Sequence, residues 1–286
     1  MISGKMNLIQ YFRFFRALDW IHFLGLTILG YVYASRTIIF SRDLCSGIII
    51  ASLYLAHGYS MNECFDNRVD NNVERFRKYS VPFKTAILLS GLVFIANLIF
   101  AFAYSLPIML LVIFGALIGF FYSAYPFRLK EIPFLGLICN ALCFTPLFII
   151  GYLSFRPLDL NAILMGIFIF ILFLPIDLIH QLNDAEEDKA KNLRTTAVAC
   201  GIKKTIGLII ISLLLLNLWL WIISRYIVIS ASFLFLTLSF SLVVIIYLVK
   251  KFYRYGNNIS KCNIKLKLRY LFMIYGVGLL IGFYIQ

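Results

Sequence analysis

Nine runs of mostly apolar residues alternate with short polar segments along the chain: 17 to 35, 44 to 62, 83 to 104, 106 to 124, 133 to 153, 160 to 181, 205 to 223, 226 to 249 and 267 to 285. A helix rising ~1.5 Å per residue needs ~20 such residues to cross the hydrocarbon of a bilayer. Each run is therefore predicted to be a transmembrane helix, and residues 1–286 a single all-α membrane domain. The runs ending at 104 and starting at 106 part only around Ser105-Leu106-Pro107, which predicts a tight helical hairpin. Pro82, Pro133 and Pro157 sit near predicted ends, where proline starts helices well and continues them badly. Pro146 and Pro175 fall inside runs and predict kinks, tolerated where neighbouring helices satisfy the freed backbone groups.

Composition excludes the soluble classes. With 62% hydrophobic, 17% aromatic and only 14% charged residues, and a mean hydropathy of +0.92, a soluble domain of this size would expose large apolar patches. Lys5, Arg13 and Arg16 precede the first run, but no small-residue cleavage site follows it, so that run is expected to act as its own insertion signal. The net charge of +13 does not point to nucleic acid, because the basic residues edge the predicted spans. Nine spans divide the polar segments into two alternating sets, and twenty-two of the 26 Lys/Arg residues fall in one of them. That set comprises the N-terminus and residues 63–84, 125–132, 182–204 and 250–269; the other holds only Arg36, Arg42, Arg156 and Arg225. The positive-inside rule then predicts a cytoplasmic N-terminus and an external C-terminus. The seven basic residues of 250–269 suit anionic lipid headgroups. The six cysteines show no metal-ligand spacing and no disulfide framework; Cys139 and Cys143 share a helix face and read as small buried residues.

Nine of the thirteen acidic residues lie in or beside two stretches: Glu63, Asp66, Asp70 and Glu74, then Asp177, Asp184, Glu186, Glu187 and Asp188. In a helix, Asn62, Asp66 and Asp70 share one face, as do Asp177, Gln181, Asp184 and Asp188. Each stretch ends an apolar run on the same predicted side of the membrane. Carboxylates at that depth are costly and mark function by default. Arg68, Arg75, Arg77, Lys78 and Lys84 surround the first stretch, Lys189, Lys191 and Arg194 follow the second, and Arg128 and Lys130 lie on a segment between them. Hard oxygen ligands beside cations suit a magnesium-bridged polyphosphate. A salt-bridged rim, a non-catalytic membrane scaffold and a secondary transporter with intramembrane carboxylates are the competing readings. Against a transporter, the acids gather at one face rather than the midplane, and no inverted repeat is evident.

The first stretch, NECFDNRVD, resembles the NDxxDxxxD signature of the UbiA superfamily of intramembrane aromatic prenyltransferases, with Asn62, Asp66 and Asp70 in place and Glu63 where Asp is usual. DAEEDKAKNLRTTAV resembles the second signature through Asp184, Asp188, Lys189 and Thr195, and YSAYPFRLK at Tyr122–Lys130 resembles the loop between them. Glu187 replaces a common Gly, Asn192 stands where a Gly often precedes the Thr, and Arg77-Lys78-Tyr79-Ser80-Val81-Pro82 replaces a usual Arg-Pro pair. The resemblance implies nine helices around a central cavity with both motifs at its cytoplasmic mouth, a need for Mg2+, and prenyl transfer from an isoprenyl diphosphate to an aromatic or other lipid-precursor acceptor, foremost a quinone precursor.

Ionising an allylic diphosphate leaves negative charge on the leaving group and positive charge on the allyl fragment, so one must be neutralised and the other sheltered. Asp66, Asp70, Asp184 and Asp188 are the expected metal ligands and catalytic residues. Asn62, Arg77, Lys78, Tyr122, Arg128, Lys130 and Lys189 are expected to bind diphosphate. Asp177, Gln181 and Asn140 are candidates for the acceptor or an extra metal site, with packing as the alternative for Asp177. His57 and His180 are candidate bases or structural hydrogen-bonders, and Asp19 and His22 could line an acceptor pocket. The 28 Phe and 17 Tyr suit both cation shielding and lipid contact, so no particular ring is singled out. Membrane lipids complete the expected partners.

Overall fold

The computed structural model describes residues 13–69, 81, 83–256, 262 and 264–285, and the side chains of these except at 67–69 and 285. Among the described residues nine helices are long and apolar enough to cross a membrane: α1 (Ala17–Ser35, with one 3-10 turn at Ile21–Phe23), α2 (Arg42–Val69), α3 (Phe83–Tyr104), α4 (Leu106–Ser123), α5 (Leu135–Leu153), α6 (Leu160–Ala190), α7 (Ile202–Ile223), α8 (Ala231–Tyr255) and α9 (Ile264–Ile285). No strand occurs among them.

The helix ends follow local chemistry. Ser105 is a one-residue extended break between α3 and α4, and Pro107 occupies the first turn of α4, as the hairpin predicts. The Asp159 carboxylate caps α6 by accepting from the Ala162 N–H at 2.9 Å. Ser230 caps α8 in the same way through Phe233 N–H, which is why that helix starts at 231 although the apolar run starts at 226. The helices with an internal proline, α5 and α6, continue through Pro146 and Pro175. The larger departures are at α2 and α6, which run on to Val69 and Ala190. Hydropathy reads only the lipid-spanning part of a helix, and both acidic stretches are the helices' polar extensions.

Membrane helices approach closely where small residues remove side-chain bulk. A Cβ on Gly30 of α1 would meet the Phe148 carbonyl oxygen at 1.9 Å, and one on Gly151 of α5 would meet the Thr27 carbonyl oxygen at 1.9 Å. The α1 and α5 backbones therefore touch. From α5 the packing passes through α6, α7 and α8 to α9, which returns to α1 and α6, while α2, α3 and α4 pack together on the other flank of α5. Outward faces stay greasy: Leu88, Ile95, Ile99 and Phe102 of α3 are exposed.

Side-chain ties confirm that alternate connections share an end. At one end Tyr104 Oη lies 3.0 Å from Asp43 Oδ1 and 2.7 Å from the Ser154 carbonyl oxygen, and Arg36 donates to the Phe283 carbonyl at 3.2 Å. At the other end Asp66 meets Arg128 and Lys130, and Lys265 meets Asp184. Both acidic stretches thus occupy the end bearing the larger basic set.

Candidate active site

Asn62 and Asp66 project from adjacent turns of α2 at its polar end. Asp66 is 5% exposed and ion-pairs with Lys130, with the Arg128 Nη2 3.7 Å from the same oxygen. Lys130 Nζ also lies 3.3 Å from Asn62 Oδ1, which accepts from Ser123 Oγ at 2.9 Å. A buried carboxylate needs such partners, because removing one leaves an uncompensated charge.

The loop between α4 and α5 is shaped to deliver these cations. Arg128 has φ 36°, in the left-handed region unusual for a side-chain-bearing residue, and its guanidinium is buried between Asp66 and Glu131. Leu129–Glu131 makes a 3-10 turn against which α5 begins. A Cβ on Gly136 would come within 2.9 Å of the Lys130 Cα, so glycine there lets the α5 start lie directly on the lysine's backbone. The same loop reaches the second acidic stretch: Phe134 N–H donates to Thr196 Oγ1 at 2.9 Å, and Thr195 Oγ1 donates to Asp188 Oδ2 at 3.2 Å.

On α6, Asp184 pairs with Lys265 of α9 at 3.0 Å and accepts from Asn183 Nδ2. The Lys265 backbone N–H lies 3.4 Å from Asn183 Oδ1, so the first turn of α9 is tied to this stretch twice. About two turns deeper, Asp177 accepts from Asn140 Nδ2 at 2.6 Å and from Gln181 Nε2 at 2.8 Å. Gln181 Oε1 in turn accepts from the Ala197 N–H at 3.3 Å.

Beside these clusters lies a cavity of about 270 Å³ walled by α1, α2, α4, α5 and α6, which Asn62, Tyr122, Asn140 and Asp177 all line. Phe23, Phe144 and Phe173 line it too; the last two stack with centroids 4.8 Å apart, and Phe23 lies 4.3 Å from Phe144. Ring faces of this kind attract a cation by ~0.5–2 kcal/mol and keep water away. Arg16, Tyr59 and His180 are shared with a second cavity of about 600 Å³ against α9, which Asp19, His22, Lys265 and Arg269 also line.

The sequence-expected residues are distributed as follows. Asn62, Asp66, Arg128 and Lys130 form one cluster; Asp188 is tied to the same loop through Thr195, Thr196 and Phe134, while Asp184 pairs with Lys265 and Asn183. Tyr122, Asn140 and Asp177 face the first cavity, with Gln181 behind Asp177. Asp19 and His22 face the second. His57 lines the first but directs Nδ1 at the Ser90 carbonyl, 3.1 Å away, and stacks on Phe94, the structural reading. Lys189 is exposed on the last turn of α6. Asp70, Arg77 and Lys78 lie outside the described residues. Among the described residues no three His, Cys, Asp or Glu side chains converge on one metal-sized point. The donor set of Asn62, Asp66, Asp184 and Asp188 is all oxygen, which fits magnesium and not a softer ion. Sequence reasoning missed Lys265, Thr196 and the Phe23, Phe144 and Phe173 group. Thr196 adjoins a signature residue, whereas the other four carry no spacing signal.

If Lys130 neutralises a ligand diphosphate, Lys130→Ala weakens donor binding: the donor KM rises roughly tenfold or more, matching ~1.5–3 kcal/mol for a hydrogen bond to a charged group. Steady-state kinetics with varied donor check this, and an unchanged KM counts against the role.

The structure is a multi-pass helical bundle with acidic and basic residues gathered at one end beside an aromatic-lined cavity. The chain belongs to the UbiA prenyltransferase family, whose model matches residues 23–277, and is an integral multi-pass membrane protein. Digeranylgeranylglyceryl phosphate synthase of Methanosphaera stadtmanae is 28% identical over 189 residues, which is 65% of each chain. A solved structure concerning digeranylgeranylglyceryl phosphate synthase superposes with a TM-score of 0.77 at 14% identity, over 98% of this chain and 99% of that one. A UbiA homologue from Archaeoglobus fulgidus bound to GPP and Mg2+ gives 0.68 at 19% identity, over 95% and 99%. At these identities the structural likenesses carry the fold alone, and the fold agrees with the nine-helix expectation.

Proposed function

We propose that the enzyme transfers a prenyl group from an isoprenyl diphosphate, in a Mg2+-dependent reaction at the cytoplasmic face, to a glyceryl phosphate that already carries one prenyl chain. The observation that carries the donor half is the Asn62, Asp66, Arg128 and Lys130 cluster at the mouth of an aromatic-walled cavity. The acceptor half is supported by the activity named for the Methanosphaera relative, whose product carries two such chains, and by Arg16, Lys265 and Arg269, cations suited to a phosphate, lining the second cavity. The cytoplasmic placement rests on the basic residues at this end. A quinone-precursor aromatic acid is the alternative acceptor, supported by the stacked Phe144 and Phe173 rings at the first cavity.

Asn62, Asp66, Asp70, Asp184 and Asp188 would hold Mg2+, which when bound offsets the leaving group's charge and orients it. Lys130 and Arg128 donate to the remaining diphosphate oxygens as the C1–O bond weakens, and Tyr122 lines the adjoining wall. Phe23, Phe144 and Phe173 shelter the allylic cation from water until the acceptor reaches C1.

Purified enzyme in nanodiscs, given radiolabelled geranylgeranyl diphosphate and both acceptor types, tests this. Product formation is expected with geranylgeranylglyceryl phosphate, to fall on the order of 10^3-fold in excess EDTA, ~4 kcal/mol of barrier, and to return with Mg2+. Preference for dihydroxynaphthoate instead selects the alternative acceptor, and an intact donor under every condition refutes the transferase reading.

A further inference from the structure

Forming an ether from an alcohol requires that the hydroxyl proton leave, and an aliphatic hydroxyl does not lose it unaided. Among the described residues Asp177 is the sole carboxylate lining the first cavity, which also holds Asn62 at the donor end. Its two oxygens accept one amide N–H each, from Asn140 and Gln181, and no cation among the described residues ion-pairs with it. Amide donors fix the plane of the carboxylate while leaving each oxygen a further lone pair, and as neutral groups they lower its basicity less than a directly paired Lys or Arg would. Gln181 is itself fixed by the Ala197 N–H, so the carboxylate is held through two shells. A carboxylate of this depth without a direct ion pair is costly, which packing alone does not require.

The other titratable groups lining this cavity are differently placed. His57 is turned to Ser90, Tyr54 donates to the Cys143 carbonyl at 2.7 Å, and Arg16 pairs with Glu63 and Asp19. Tyr59, Tyr122, Cys143 and His180 complete the set, and none of these is an anion under ordinary conditions.

We infer that Asp177 is the proton acceptor of the transfer step, a catalytic residue that receives the acceptor's hydroxyl proton, with Asn140 and Gln181 as its positioning residues. The assignment rests on the prenyltransferase reading and on an alcohol acceptor. As the C1–O bond to diphosphate breaks, its electron pair leaves with the diphosphate. The hydroxyl oxygen bonds to C1 through a lone pair, and its proton passes to an Asp177 oxygen, giving the neutral acid. An aromatic acceptor attacking through ring carbon forms a strongly acidic intermediate and makes a weaker demand on this base.

The test compares Asp177→Asn, Asp177→Glu and Gln181→Leu with the wild type, using geranylgeranyl diphosphate and Mg2+ with geranylgeranylglyceryl phosphate as acceptor. Asp177→Asn is isosteric and is expected to lower transfer kcat by roughly 10^2-fold or more, the range for a lost general base. Its donor KM stays within about twofold, while prenyl alcohol from donor hydrolysis accumulates. Asp177→Glu restores part of the transfer rate, and Gln181→Leu lowers kcat roughly tenfold at the same donor KM; these two decide the matter if Asp177→Asn does not fold. Transfer by Asp177→Asn within threefold of wild type overturns the assignment. So does a raised donor KM with hydrolysis and transfer lost together, which would place Asp177 in the diphosphate site. A wild type that ionises the donor yet alkylates no alcohol refutes the acceptor reading, and the assignment with it.

Discussion

Asp66→Ala is expected to reduce prenyl transfer on the order of 10^3-fold, as loss of a group that stabilises transition-state charge does. The carboxylate is nearly fully buried and faces Lys130 and Arg128, so the variant loses a proposed metal ligand and removes the counterion that the two cations share. Breaking a buried ion pair costs about 3–5 kcal/mol, and a drop in thermal stability accompanies the drop in activity. Asp66→Asn separates the two effects. Shape and one oxygen ligand remain while the charge is lost, so its activity falls further than its stability does. Product formation and thermal unfolding of both variants, measured side by side, check this. Asp66→Ala with more than about a tenth of wild-type turnover would remove the first acidic stretch from the chemistry.

The largest effect on folding is expected at Gly151, followed by its counterpart Gly30. A valine Cβ at 151 would sit 1.9 Å from the Thr27 carbonyl oxygen, and because that atom is backbone, α1 must move by more than an ångström. Overpacking of this kind costs about 3 kcal/mol or more, a large part of the net stability of a domain. Function is also lost, since α1 carries Phe23 into the cavity wall. Gly91→Ala on α3 is the control: its Cβ meets nothing within 4 Å, and alanine favours the helix. Size-exclusion profiles should show Gly151→Val poorly folded and Gly91→Ala unchanged. A monodisperse, active Gly151→Val would mean that the α1–α5 approach is looser than described.

The lipid solvent made the fold legible. A helix that must satisfy its backbone within ~30 Å of hydrocarbon announces itself as an apolar run, and the one-sided basic residues order the crossings. The ends of α2 and α6 escaped that signal because they have left the hydrocarbon. At the site, Asn62 and Asp66 share a helix face, so periodicity alone brought them together, and the partners Lys130 and Arg128 came from the loop resemblance. Lys265 lies 81 residues from Asp184, and Phe23 and Phe144 are further apart still; only the packing of α1, α5, α6 and α9 makes them neighbours. Lys189 reads as part of a motif yet points to solvent, because the last turn of α6 turns it away.

The length of α6 sets a ruler across two solvents. Its 31 residues measure ~46 Å at 1.5 Å per residue, against ~30 Å of hydrocarbon. Counting from Leu160, the acyl region ends near His180, so Asp177 stays on the oily side of the boundary and Asp188 stands on the watery side. One rigid rod therefore spaces a group suited to lipid-soluble chemistry and a group suited to a departing hydrophilic anion. Adding a single residue between them would swing the outer pair by ~100° while leaving the inner one in place.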